Sequence, residues 1–160
     1  GYSFGGNIAR YLGAWSERTK AIAMIGVPFG PAVDETFDRY IDTFIEKYGP
    51  LAKAYEDGAL SEKRQRSAIK GRIPVWVACF QAMRGWPSIE AGEVKCPALL
   101  VAGTKNRSAM GWLKEHEESL AGGGVQVEIV EGLTHPQEFS QMERVLPVVR
   151  EFFTFQESAS

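Results

Sequence analysis

Three short apolar runs, separated by stretches with helical spacing, set the tightest limit on what this chain can fold into. Residues 20–28 (KAIAMIGVP) are closed by Pro28, Gly30 and Pro31. Residues 97–102 (PALLVA) end at Gly103, and residues 125–130 (VQVEIV) end just before Gly132. Short apolar runs bounded by turn residues are expected of strands buried on both faces. A helical stretch is expected near residues 109–120. Another is expected over 136–153, where Phe139, Met142, Val145, Leu146, Val149 and Phe152 or Phe153 recur at helical spacing. Strand and helix in alternation imply right-handed crossovers and a parallel sheet covered by helices, an α/β fold.

The middle third breaks this alternation. Phe37, Tyr40, Ile41, Phe44, Ile45 and Tyr48 mark an amphipathic helix that Gly49-Pro50 should stop, with a further short helix over Leu51 to Tyr55. A third is expected from Ser61 toward Arg72. The segment VWVACFQAMRGW after Pro74 is ambiguous, β-branched at its start and helical toward its end. A helical block inserted in an α/β alternation suggests a cap or lid, residues 32–87, between two core segments, 1–31 and 88–160. The alternative is an elaborated crossover. Aromatic residues of the block (Phe37, Tyr40, Phe44, Tyr48, Trp76, Phe80, Trp86) could line a pocket, but their spacing fits ordinary packing better.

Composition narrows the function classes. The 160 residues are 44% hydrophobic and 24% charged with a net charge of -2, a balance that excludes disorder. No window approaches the roughly 18 consecutive apolar residues of a membrane span, so no membrane partner is expected. Nucleic acid is not expected either. The one basic stretch, Lys63, Arg64, Arg66, Lys70 and Arg72, is interleaved with Glu62, Gln65 and Ser67 and reads as a solvated helix face. Cys79 and Cys96 lack the number and spacing of a disulfide framework, which favours a reducing, cytoplasmic setting. The sequence opens at Gly1, so a signal peptide upstream lies beyond this reading.

The chemistry gathers at two places. Gly1-Tyr2-Ser3-Phe4-Gly5 fits G-x-S-x-G, in which a serine on a tight strand-to-helix turn exposes its Oγ and the flanking glycines let chain segments pass. Residues 7–15 supply the helix, whose N-terminus and the Phe4 N–H would favour an oxyanion. A serine hydroxyl also needs an imidazole to take its proton. His116 sits among glutamates on an expected exposed helix. His135, in EGLTHPQEF, follows the third strand at the edge where open parallel sheets carry their sites.

Taken in order, GYSFGG, the strand ending in GVPFG, the helical block, IEAGEVKCPALLVAGTKN and VEGLTHPQEF with VLPVVREFF resemble the C-terminal part of an α/β-hydrolase-fold protein. The resemblance implies a partial α/β-hydrolase fold with a cap. It further implies a catalytic Ser3 and His135, an oxyanion donor at Phe4, a small-molecule substrate, and acyl-enzyme chemistry with neither metal nor organic cofactor. It places five strands and a second oxyanion donor before the elbow, so a missing N-terminal half is the expected partner, and residues 1–160 alone are expected to be inactive.

The acid is the departure from the pattern. The family's aspartate after the second run falls on Asn106 in Gly103-Thr104-Lys105-Asn106. Its amide oxygen is expected to accept from His135 Nδ1, as a neutral residue does in Cys-His-Asn sites, at a large cost in rate. Asp34 and Glu35 are alternative acids, and Glu131 is read as a strand-end surface charge. The leading function is thus a serine hydrolase of a small, largely apolar ester or related carboxylic derivative. The alternative is a catalytically weakened ligand-binding member of the fold, and aspartate at position 106 is expected to raise turnover if the site is a weakened hydrolase.

Overall fold

A computed structural model describes residues 1–120 and 124–158. They divide into two compact units, Gly1–Gly30 with Ser88–Ser160, and Pro31–Pro87. The first unit is built on three strands, β1 (Ile22–Ile25), β2 (Ala98–Gly103) and β3 (Val125–Val130), all parallel in the order β1-β2-β3. Ile22 pairs with Ala98, and Ala98 in turn with Val125. As the central strand, β2 is buried along its whole length, which is why its sequence shows no polar alternation.

Alternate side chains of β1 and β2 feed two separate cores. Ile22, Met24, Ala98, Leu100 and Ala102 pack with Phe29, Ala109 and Leu113 on one face. Ala23, Ile25, Leu99 and Val101 pack with Leu133, Val145 and Phe152 on the other. Helix α1 (Phe4–Trp15) lies close on β1, because a Cβ at Gly13 would stand 2.8 Å from Ile22 Cδ1. The buried Arg10 of α1 donates from Nη1 to the Pro28 carbonyl at 2.7 Å, tying this helix to the loop after β1. Burial pushes the Arg10 guanidinium below its ordinary value.

The helical stretch expected near 109–120 is two helices, α5 (Arg107–Glu115) and α6 (Glu117–Leu120). The single helix expected over 136–153 is also two, α7 (His135–Ser140) and α8 (Met142–Ser158), parted at Gln141, whose backbone leaves the helical region. This break leaves α7 as an independent short helix at the sheet edge.

The second unit is helical throughout: α2 (Glu35–Glu56), α3 (Glu62–Lys70) and α4 (Ile73–Met83). Gly49-Pro50 does not stop α2, contrary to expectation. The helix carries Pro50 in its interior and buries Ile41 and Ala52 on either side of it; packing of the long apolar face outweighs the lost backbone hydrogen bond. The ambiguous VWVACFQAM segment is α4, with Pro74 in its first turn and Val77, Phe80 and Met83 buried at threefold spacing. Phe37 and Phe44 of α2 meet Phe80 edge-on, at 5.7 and 5.0 Å between centroids, so these aromatics pack among themselves. All five basic residues of the Lys63–Arg72 stretch are exposed, and Arg66 pairs with Glu62 one turn away. No helix among the described residues is long and apolar enough to cross a membrane.

Candidate active site

The serine stands on a strained turn. Gly1 and Tyr2 run beside β1: the Ile25 N–H donates to the Gly1 carbonyl at 2.8 Å and the Ser3 N–H to the Ile25 carbonyl at 3.0 Å. At Ser3 the chain turns abruptly into α1, with φ 52° and ψ -117°. Positive φ at a residue bearing a Cβ is costly and persists where surrounding structure enforces it; here it lifts the hydroxyl clear at the head of α1. Of the expected motif glycines, Gly1 is required, since a Cβ there would fall 2.1 Å from the Gly5 carbonyl oxygen. Gly5 is not crowded, with nothing within 4 Å. The second crowded position is Gly6, whose Cβ would meet Val27 Cγ2 at 2.5 Å. Gly6→Ala is therefore expected to destabilise the protein by about 1–3 kcal/mol, whereas Gly5→Ala should not lower stability. Urea unfolding midpoints check the pair, and equal midpoints would contradict this packing.

His135 is placed by the start of α7. Thr134 and Gln137 form a reciprocal capping box, with the Thr134 N–H donating to Gln137 Oε1 at 3.0 Å. Pro136 in the first turn helps fix where the helix begins. His135 thus sits at the first helical position, and its Nε2 lies 3.1 Å from Ser3 Oγ across 132 residues of sequence. The Tyr2 ring stacks on the imidazole at 4.9 Å and its hydroxyl donates to the His135 carbonyl at 2.9 Å. Burial, and then the nearby Glu138 carboxylate, push the Tyr2 phenol above its ordinary value, which keeps it a donor. Beyond Tyr2, Phe139 stacks at 5.3 Å with its own side chain largely exposed.

The other ring nitrogen meets a residue that the sequence reading missed. Glu138, one helical turn after His135, is fully buried, and its Oε2 lies 2.9 Å from His135 Nδ1. The tautomer follows from the partners: a carboxylate at Nδ1 places the proton there and leaves Nε2 to accept from Ser3. Glu138 Oε1 accepts from the Gly103 N–H at 2.7 Å and from Asn106 Nδ2 at 2.9 Å, with a longer Nδ2 contact of 3.2 Å to Oε2. A buried carboxylate without such donors would be strongly penalised.

Asn106 is part of this site through the opposite end of its amide. Its Oδ1, expected to accept from His135, instead caps α5 by accepting from the Ala109 N–H at 3.3 Å. That fixes Nδ2 toward Glu138 and toward the Gly26 carbonyl at 3.0 Å, with His135 Nδ1 at 3.3 Å. The signal for Glu138 was present in the sequence as a glutamate three residues after the histidine, on the same face of a helix, opposite an acid position occupied by an amide.

The remaining sequence candidates make other contacts. His116 ends α5, its Nδ1 2.9 Å from the Trp112 carbonyl and its ring stacked on Trp112 at 4.3 Å. Asp34 accepts from the Phe37 N–H at 2.7 Å as the N-cap of α2, and Glu35 opens that helix, both in the other unit. Glu131 is an exposed turn residue that accepts from Thr104 Oγ1 at 3.3 Å. Phe4 begins α1 directly after the serine. Among the described residues no group of three or more His, Cys, Asp or Glu is placed to hold a metal ion.

Solved structures share this architecture. One, from work on carboxylesterases of the ammonia-oxidising thaumarchaeon Nitrososphaera gargenis, matches with a TM-score of 0.69 at 17% identity, over 100% of this chain and 65% of that one. NosK from Streptomyces actuosus matches with a TM-score of 0.55 at 20% identity, over 98% of this chain and 68% of its own. The chain thus spans about 65% of the length of the first of these. No family model and no curated protein matches it. At such identities the likeness is one of fold: three parallel strands flanked by helices, a partial α/β-hydrolase fold.

Proposed function

We propose that this partial α/β-hydrolase fold carries the reacting side chains of a serine hydrolase acting on a small, largely apolar ester or related carboxylic derivative. The single observation that carries this reading is the unbroken relay from Ser3 Oγ to His135 Nε2, and from His135 Nδ1 to Glu138 Oε2, at 3.1 and 2.9 Å. The steps follow from it. Ser3 Oγ attacks the substrate carbonyl carbon while His135 Nε2 takes its proton, and Glu138 stabilises the imidazolium that forms. The Phe4 N–H, at the positive end of α1, is assigned to the oxyanion. Collapse of the tetrahedral intermediate breaks the ester C–O bond, with His135 returning the proton to the leaving alcohol. Water, deprotonated by His135, then attacks the acyl-Ser3 carbonyl and releases the acid. The helical unit, residues 31–87, is assigned as the cap. The exposed Phe139 ring beside Tyr2 supports an apolar substrate.

The alternative of a weakened, ligand-binding protein was motivated by the absence of a carboxylate at position 106, and Glu138 offers one to His135. A fluorophosphonate probe tests the reading, since Ser3 attack on phosphorus expels fluoride and leaves a stable adduct. Labelling of the folded, full-length protein at Ser3, identified by peptide mass spectrometry, is expected. Labelling absent from the folded full-length protein, or confined to another residue, would sink the proposal.

A further inference from the structure

Position 106 reads in sequence as a vacated acid site, where aspartate should restore activity. The contacts of Asn106 argue the reverse. Its Oδ1 is committed to the α5 cap, so an aspartate in the same rotamer would aim its second oxygen at Glu138, where Nδ2 now stands 2.9 Å from Oε1 and 3.2 Å from Oε2. That oxygen would also face the Gly26 carbonyl, now 3.0 Å from Nδ2. Three acceptors would then surround a space that requires donors.

We infer that Asn106 is a positioning residue for Glu138: acid and amide have exchanged places, and the amide at 106 is what allows a lone carboxylate at 138 to remain oriented toward His135. This inference rests on the serine-hydrolase reading and deepens it. Among the described residues, the titratable groups that face Glu138 are His135 on its own helix and Tyr2 of the elbow, while Gly26, Gly103 and Asn106 present neutral groups. Two carboxyls placed as in Asn106→Asp can hold one proton between them, because like charges at this separation resist joint ionisation. With that proton present, the acid at 106 still donates to Glu138. Once the proton is lost, the two repel and Glu138 is pushed off His135. Tyr2, whose phenol is pushed above its ordinary value by burial and by Glu138, keeps its proton across about pH 5 to 9 and stays neutral beside the pair.

The experiment, on the full-length protein, compares hydrolysis of p-nitrophenyl butyrate by wild type, Asn106→Asp, Glu138→Gln and the double variant across pH 5 to 9. The kcat/KM of Asn106→Asp relative to wild type is expected to fall as pH rises, reaching a deficit of about 10- to 100-fold on the alkaline side. In the double variant, with one carboxylate at 106 and an amide at 138, that pH dependence should vanish and activity should exceed that of Glu138→Gln alone. Should Asn106→Asp fail to fold, Asn106→Ser retains a capping oxygen but lacks the donor. It should lower kcat/KM by about 10-fold, and adding Glu138→Gln should then cost less than it does in wild type. A gain in Asn106→Asp at every pH, or a ratio to wild type independent of pH, would overturn the inference. If wild type neither turns over nor takes the fluorophosphonate, the hydrolase reading fails by itself. Carbon-13 carboxyl NMR of Asn106→Asp then still decides whether residues 106 and 138 share a proton, and two independent titrations there would refute the positioning role.

Discussion

Glu138→Gln is expected to lower kcat for ester hydrolysis by about 10⁴-fold, with little change in fold. The size of the effect follows from which way the new amide must face. The Gly103 N–H and Asn106 Nδ2 both donate to Oε1, so the glutamine oxygen has to take that place. Its NH₂ is then left where Oε2 now meets His135 Nδ1 at 2.9 Å. A donor facing Nδ1 drives the ring proton onto Nε2, the nitrogen 3.1 Å from Ser3 Oγ, and a protonated Nε2 cannot take the serine proton. Steady-state kinetics beside an unfolding curve would separate this tautomer effect from a loss of structure. Retention of more than about a tenth of wild-type kcat would show that Glu138 is not the acid of the relay.

Gly26→Ala should disable the same site from the other side while also weakening the fold. Gly26 follows β1 with φ 76°, and its N–H donates to the Val101 carbonyl at 2.8 Å, so the strand end is held while the chain turns left-handed. A Cβ there would fall 2.0 Å from Glu138 Oε2 and 2.5 Å from His135 Nδ1. Neither neighbour can yield without breaking the Glu138–His135 contact. Backbone strain and overpacking together should cost about 2–5 kcal/mol of stability. The displaced imidazole should cost at least about 10²-fold in kcat/KM. Thermal unfolding and esterase assays on the folded fraction check both numbers, and a Gly26→Ala protein with wild-type activity would show that the carboxylate–imidazole contact is dispensable.

The parallel sheet was legible in the sequence because its signals are local. ALLVAG is apolar at every position and is the strand buried along its whole length, and the apolar run around the shorter β1 behaves similarly. The nearness of Ser3 and His135 was legible for a topological reason, since His135 follows β3 and Ser3 follows Tyr2, which bridges to Ile25 at the end of β1. Helix limits were less so. Pro50 is a strong local stop signal, but the apolar face of α2 continues past it from Ile41 to Ala52, and tertiary packing prevailed. In residues 75–83 the β-branched start pointed to a strand, while burial at 77, 80 and 83 belongs to a helix.

The acid was harder to read than the serine and the histidine, for a physical reason of another kind. A glutamate in HPQEFS, two residues from a proline and within the first turns of a helix, has the sequence character of a surface charge that favours a helix N-terminus. Its full burial depends on donors 32 and 35 residues away in sequence, at Asn106 and Gly103. It depends as well on the missing Cβ at Gly26, far upstream. Only their convergence converts a helix-start glutamate into the partner of an imidazole.

The protonation site of His135 tests the account most directly. Nitrogen-15 NMR of histidine-labelled protein at neutral pH should show the His135 proton on Nδ1 in wild type and on Nε2 in Glu138→Gln. The same tautomer in both proteins, or an Nε2 proton in wild type, would contradict the relay from Ser3 through His135 to Glu138.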